Sequence, residues 1–407
     1  MRARLFALSW LAYAGLYLGR KNFSVAMPRL QSEGGLDKFQ LANLLFIYSL
    51  FYTLGQFVMG PLADRFGPRR VVSAGLLLAA AANIAMGLAP FYSALFLLGM
   101  LNGLGQSAGW PGLVKMMAAW FRPEERGVVM AWWTTNYVLG GFLATILASW
   151  LLKFPLFGLD NALARVFILP ALLLAAIAFL FLTFARNRPP AAGSGEESAA
   201  PEGVPVARAV SDALRRPVVW VTGAAAFLLK VMRYSFLYWL PLYMVEKMRH
   251  AEDDAGYASS VFELVGFAGA LIAGYASDKL FHARRFPVAC LMLLGLAAAC
   301  LAHPSLAALG WWGNVAGIAL IGMMLYGPDT LMQGAASQDA GAPQSAATAA
   351  GLICGIASAG QLLSPYVTAW LATRYGWDSL FLFFVFVSLA ASLLSALFWR
   401  YRAQVLQ

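Results

Sequence analysis

The sequence predicts an all-α membrane protein: twelve transmembrane helices in two pseudo-symmetric halves of six. Three observations predict it. Of the 407 residues, 61% are hydrophobic and 12% charged, whereas charge makes up about a quarter of an ordinary globular domain. The apolar residues fall into about twelve runs close to the roughly twenty residues a helix needs to cross about 30 Å of hydrocarbon. Finally, the pattern Arg-x-x-Phe-x-x-x-x-Pro occurs twice inside apolar runs, from Arg20 through Phe23 to Pro28 and from Arg233 through Phe236 to Pro241. A lipid-spanning barrel would need alternating ten-residue strands, and the sequence has none.

The first run, 4 to 28, follows Met1-Arg2-Ala3-Arg4. It is too long for a signal peptide and no small-residue cleavage site follows it, so it reads as the first membrane helix. Runs 38 to 60, 71 to 89, 92 to 118, 127 to 152 and 164 to 185 complete the first half. The second half comprises 217 to 244, 256 to 276, 287 to 303, 308 to 333, 346 to 372 and 378 to 399. Gly and Pro interrupt many of these runs, which membrane helices tolerate because neighbouring helices satisfy the freed backbone groups. The long polar, low-complexity stretch lies between the halves, so two domains are expected at 1–186 and 217–407, with a linker over 187–216. Adding 213 to Arg20 and Pro28 gives Arg233 and Pro241, adding 214 to Gly60 and Asp64 gives Gly274 and Asp278, and adding 217 to Pro111 gives Pro328. Parallel repeats of this kind place a binding site at the interface of the halves, near the bilayer midplane.

Charge fixes the expected orientation. The amino terminus and the even-numbered connections carry seventeen Lys and Arg, the opposite loops seven, which places both termini in the cytoplasm. The formal net charge of +10 is then topological bias plus charge inside the membrane, and calls for no nucleic-acid partner. Cys290, Cys300 and Cys354 lie in or beside apolar runs with no CxxC spacing and no His partners, which argues against structural disulfides and against a metal site. His250, His282 and His303 map to loops or span ends and read as surface residues. No nucleophile and base stand at recognisable spacing, so neither enzyme chemistry nor a cofactor is expected.

The chemistry centres on the repeated arginines. An arginine near the middle of a spanning helix costs about 2.5–3.5 kcal/mol on insertion scales, so two at matching places mark a functional site. Guanidinium stays protonated and presents a planar fork that matches phosphate oxygens, so one arginine from each half can hold a dianion between them. Lys21 points about 100° away from Arg20 around the helix, whereas Lys230, three residues before Arg233, shares its face. Asp329, a carboxylate in an apolar run, must pair, neutralise or face water. It balances Lys230 or Lys115, receives an amino group of a zwitterionic substrate, or exchanges a proton.

The loop after the second run, Gly60-Pro61-Leu62-Ala63-Asp64-Arg65-Phe66-Gly67-Pro68-Arg69-Arg70, resembles the signature loop of the major facilitator superfamily. Asp278 and Lys279, with Arg284 and Arg285, look like its second copy. The resemblance implies the major facilitator fold, with these residues forming a cytoplasmic gate latch. The first run, from Tyr17 through Arg20, Lys21 and Phe23 to Pro28, is similar to that of the organophosphate:phosphate antiporters, which include bacterial glycerol-3-phosphate and hexose-phosphate transporters. Gly109-Trp110-Pro111 with Lys115 and Trp120, Glu125-Arg126-Gly127, Trp133 with Gly140-Gly141, Arg233-Tyr234 and Tyr326-Gly327-Pro328 look like landmarks of the same family.

What this resemblance implies is a secondary transporter that exchanges a phosphorylated metabolite for inorganic phosphate by alternating access. Arg20 and Arg233 would be its phosphate-binding pair, and Lys21 with Glu263 an interhelical ion pair used in coupling. The chain departs from the glycerol-3-phosphate transporter pattern at Lys230, where that pattern has an uncharged aromatic, and at Tyr137 beside Asn136, where it has a histidine, and from the wider family at Gln56, where a lysine is common, and at Asp329, where an uncharged residue is usual. Tyr234, next to Arg233, joins this wall as a candidate contact. The expected setting is a monomer in the lipid bilayer of a bacterial cytoplasmic membrane. Two other readings stay open: a proton-coupled organic-anion carrier with Asp329 as the titrating group, and a sugar-phosphate sensor that binds without transporting.

Overall fold

A computed structural model describes the chain apart from residues 122–128, 131, 134, 157–158, 188–210, 283, 335, 338–345 and 402–407. Most of the expected linker, and the Glu125-Arg126-Gly127 landmark, therefore lie outside the described residues. The described residues are almost wholly helical. In chain order the long helices are α1 (Arg2–Leu16), α2 (Leu18–Ser32), α3 (Lys38–Phe66), α4 (Pro68–Leu88), α5 (Tyr92–Ser107), α6 (Gly109–Trp120), α7 (Thr135–Lys153) and α8 (Ala162–Phe184). They continue as α9 (Pro217–Glu246), α10 (Glu252–Tyr275), α11 (Arg285–Ala307), α12 (Trp311–Gln333), α13 (Ala346–Arg374) and α14 (Trp377–Leu397).

Ten of these helices are individually long and apolar enough to cross a membrane. The other two spans are broken: α1 with α2 forms the first and α5 with α6 the fourth, which brings the total to twelve. The second break has a cause in the sequence. Pro111 has no N–H and its ring crowds the carbonyl of Ser107, so the helix is interrupted at Ala108. The first break, at Tyr17, carries no such residue. There the Tyr17 N–H bonds to Ala14 O at 3.1 Å and the Arg20 N–H to Tyr17 O at 3.1 Å, the i→i−3 spacing of a tightened turn. That turn ends on Arg20.

The chain divides into two compact units, Met1–Gly195 with Tyr238–Ser260, and Glu196–Leu237 with Val261–Gln407. Within the first, close helix crossings depend on missing side chains. A Cβ on Gly105 would lie 2.6 Å from Gly75 O, and one on Gly140 would lie 2.8 Å from Ala14 Cα. Such backbone-to-backbone approach is how membrane helices gain packing without a hydrophobic drive between them. The second unit repeats the device, with Gly269 of α10 against Met323 O and Gly322 of α12 against Phe262 O.

Among the described residues, ion pairs join the Tyr238–Ser260 segment to the rest of the first unit. Arg29 pairs with Glu252, Lys38 with Glu246 at 2.9 Å, and Lys153 with Asp253 at 2.8 Å. Ser24 Oγ also donates to Tyr238 O at 2.6 Å. All three pairs form at helix ends on the membrane face opposite the amino terminus.

Arg165 anchors the loop between α7 and α8. It is 4% exposed, and its guanidinium donates to Leu151 O (2.9 Å), Leu152 O (3.2 Å), Leu159 O (2.7 Å) and Asp160 O (2.6 Å). Two of these are last-turn carbonyls of α7, which have no partner inside the helix. Arg165→Leu strips four acceptors at once, two of them buried, and is expected to cost about 3 kcal/mol, read as a fall in melting temperature in detergent. An unchanged melting temperature would remove this residue from the account of stability.

His303 corrects the surface reading made for the histidines. It is fully buried in α11 and stacks on Phe381 at 4.4 Å between ring centroids. The run was expected to end at 303, but the helix continues to Ala307, and its last turn keeps the ring inside. Cys290, Cys300 and Cys354 are free thiols, and no cluster suited to a metal ion occurs among the described residues.

Candidate substrate site

Arg20 enters the site on α2, held by neutral groups. Its Nε–H donates to Gln106 Oε1 at 3.0 Å, and its guanidinium carbon lies over the rings of Tyr17 (4.8 Å) and Tyr52 (4.9 Å). Such stacking favours a cation without neutralising it. Among the described residues Arg20 has no ion pair, and its buried Nη2 has no hydrogen-bond partner. A small cavity of about 20 Å³, lined in part by Arg20, Gly19, Phe23, Tyr48, Asn102 and Tyr238, adjoins it.

A buried amide cluster positions this arginine. Gln106 Oε1 also accepts from Tyr48 Oη at 2.9 Å, and Gln106 Nε2 donates to Gly19 O at 3.0 Å and to Asn102 Oδ1 at 2.9 Å. Asn102 Nδ2 reaches the same Gly19 carbonyl at 2.8 Å, and Asn83 Nδ2 approaches it at 3.4 Å. Asn22 closes the network by donating to Asn83 Oδ1 at 2.9 Å. The cluster thus draws on α2, α3, α4 and α5, and Asn22, Asn83, Asn102 and Gln106 are all buried. Satisfied buried networks of this kind fix one arrangement. The sequence reading missed it, although Asn102 and Gln106 stand at i and i+4 on one helix face.

Arg233, in α9, has different company. It forms an ion pair with Asp329 of α12, and its guanidinium lies 4.5 Å from the centre of the Tyr326 ring. Asp329 is buried and is also held by Gln333 Nε2, one turn further along α12. Lys230 and Lys115 were the expected partners of this carboxylate, and the structure pairs it with Arg233 instead. Lys230 Nζ lies over the Tyr234 ring at 5.3 Å, and Lys115 Nζ donates to Ala63 O at 3.4 Å. Helical spacing told which residues share a face but not which helix that face meets.

The remaining candidates fall as follows. Gln56 is half-buried on α3, one turn beyond Tyr52. Tyr137 packs against the apolar core of the first unit, whereas Asn136 beside it is fully buried, with neither amide atom hydrogen-bonded within the structure described. Lys21 is buried on α2 in the first unit and Glu263 on α10 in the second. Trp133, one of the family landmarks, is packed with Tyr13 and Trp110 and donates to Ser9 Oγ at 3.1 Å.

The family model described as Major Facilitator Superfamily matches residues 9–359. The chain belongs to the major facilitator superfamily. Its curated relatives match the organophosphate:phosphate antiporter branch. The glycerol-3-phosphate transporter of Bacillus subtilis (strain 168) is 28% identical, the alignment covering 98% of this chain and 93% of that protein. The membrane sensor protein UhpC of Escherichia coli (strain K12) is 29% identical over 96% of this chain and 90% of its own length. The fold is similar to that of a bacterial homologue of the human lysosomal transporter spinster, solved in an inward-facing, occupied conformation. That similarity has a TM-score of 0.79 and 16% identity, and covers 97% of this chain and 96% of that one. As a superfamily member the chain is a multi-pass membrane transport protein and not an enzyme.

The two superfamily signature loops hold their charges in different ways. In the first, Gly67 takes φ +83°, a conformation open to glycine, and Arg69 donates through its backbone to Asn187 Oδ1 (2.9 Å) and through Nε to Leu182 O (2.6 Å). That ties the loop to the end of α8. Arg65 lies against the Phe66 ring and Arg70 is exposed. The side chain of Asp64 lies outside the described parts. In the second loop, Asp278 pairs with Arg285, which also donates to Ser277 Oγ at 2.9 Å. Lys279 is exposed, and Arg284 occupies the amino-terminal cap of α11.

Proposed function

We propose that this chain is a secondary active transporter that exchanges a phosphorylated organic metabolite for inorganic phosphate across a bacterial cytoplasmic membrane by alternating access. Both termini face the cytoplasm in this reading, and a monomer suffices, without nucleic acid. Arg20 and Arg233 bind phosphate oxygens, while Lys230, Tyr234, Tyr137, Asn136 and Gln56 read the organic part. Lys21 and Glu263 couple binding to movement, and the two signature loops, including Asp64 and Asp278, act as gates.

The observation that carries the proposal is the setting of Arg20: a guanidinium inside a membrane helix, fixed by amides and tyrosine rings, with no ion pair among the described residues. An uncompensated cation at that depth is costly, and a bound anion offsets the cost. The glycerol-3-phosphate transporter among its relatives supports phosphate as the anion.

Counterflow tests the reading. Proteoliposomes loaded with phosphate should take up labelled phosphate or a sugar or glycerol phosphate from outside, with no imposed gradient of protons. Uptake of a carboxylate driven by a pH gradient, without phosphate exchange, would replace the proposal by the proton-coupled carrier. The sensor relative makes a second reading specific: binding of the organophosphate with negligible exchange would assign the chain to sensing.

A further inference from the structure

The repeat puts Arg20 and Arg233 in matching places, yet their electrostatic surroundings are unequal. Arg20 is met by the neutral acceptor Gln106 and two tyrosine rings. Arg233 is met by a full negative charge, the Asp329 carboxylate, whose side chain is 2% exposed. A carboxylate oxygen and a phosphate oxygen seek the same guanidinium N–H groups in the same geometry. A phosphate dianion brought to Arg233 therefore meets an occupied fork and a like charge beside it.

We propose that Asp329 is a tethered competitor of the substrate: an internal anion that occupies Arg233 until phosphate displaces it. The proposal rests on the reading of Arg20 and Arg233 as phosphate ligands. Phosphate then engages Arg233 only as Asp329 lets go.

The surroundings of Asp329 allow such an exchange. Gln333, four residues on, already donates to the carboxylate and shares its helix, so the group keeps a hydrogen bond when it leaves Arg233. Pro328 immediately precedes Asp329 inside α12, and a proline there removes one backbone bond and loosens the helix locally. Lys230, on the Arg233 face of α9, offers a second cation. A merely structural ion pair makes the opposite forecast. Removing its carboxylate would strand a buried cation and weaken the protein, with no reason for phosphate to bind more tightly.

The experiment measures equilibrium binding of labelled inorganic phosphate to the purified full chain. Asp329→Asn is expected to bind phosphate about tenfold tighter or more, since one charge-assisted competitor is gone, and Asp329→Glu to stay within about threefold of the unaltered protein. In Arg233→Gln the Asn substitution should bring no gain, because the competition acts through that arginine. If folded Asp329→Asn binds phosphate no more tightly than the unaltered protein, the competitor is overturned while phosphate remains the ligand. If neither protein binds phosphate, the proposed function falls with it.

A measurement on the unaltered protein is independent of how the Asn variant folds. With aspartate carbon-labelled, addition of phosphate should shift a carboxylate stretching band that is absent from labelled Asp329→Glu. The lack of any such shift in a protein that binds phosphate would overturn the displacement.

Discussion

Arg20→Lys is expected to lower phosphate exchange about a hundredfold while leaving the charge in place. Arg20 reaches Gln106 through Nε and leaves Nη2 without a partner inside the structure described, so the fork is both oriented and available. A lysine supplies one ammonium on a flexible stem and cannot be held through Nε while offering a bidentate face. Loss of two charge-assisted bonds, at roughly 1.5 kcal/mol each, corresponds to about two powers of ten. Arg233→Lys should fall in the same way, because its ammonium would pair with Asp329 without presenting a fork. Exchange of labelled phosphate in proteoliposomes reads both, with membrane insertion checked in parallel. Near-normal exchange in either variant would overturn the two-arginine site.

Gln106→Leu is expected to weaken phosphate binding by about tenfold to a hundredfold without removing any charged group. The substitution leaves Arg20 Nε and Tyr48 Oη without their common acceptor and takes one donor from the Gly19 carbonyl. Hydrogen bonds to charged groups contribute about 1.5–3 kcal/mol, which sets the range. Since Gln106 acts through Arg20, the loss should appear as a raised KM with a smaller change in maximal rate. Gln106→Glu adds a sharper check. It gives Arg20 an ion-pair partner of the kind Arg233 already has, and should depress phosphate affinity more than leucine does. Affinity retained in both variants would detach the amide cluster from the site.

The spans were legible because apolar length is a strong signal, and nearly every run maps onto a helix within a few residues. The broken helices were less so. The run 92 to 118 reads as continuous although Pro111 supplies a cause for the interruption at Ala108, and nothing at Tyr17 marks the turn that presents Arg20. In the site, charge was easy to see and partnership was not. Asp329 stood out because a carboxylate is rare in such a run, yet its partner is 96 residues away on another helix, beyond the reach of local spacing. The amides around Gly19 escaped notice for the opposite reason: Asn22, Asn83, Asn102 and Gln106 carry no charge, and only their joining into one network around that carbonyl gives them a role.

The pairs Arg29–Glu252, Lys38–Glu246 and Lys153–Asp253 all form on one face of the membrane, and all are partly open to solvent. Attraction between such exposed groups is screened by dissolved ions over about 8–10 Å near physiological strength. Any motion that carries Glu246, Glu252 and Asp253 away from their partners must break all three. The lifetime of that arrangement should therefore depend on the ionic strength of one bathing solution and be indifferent to the other. In vesicles of fixed internal medium, raising sodium chloride on that side alone would hasten the separation.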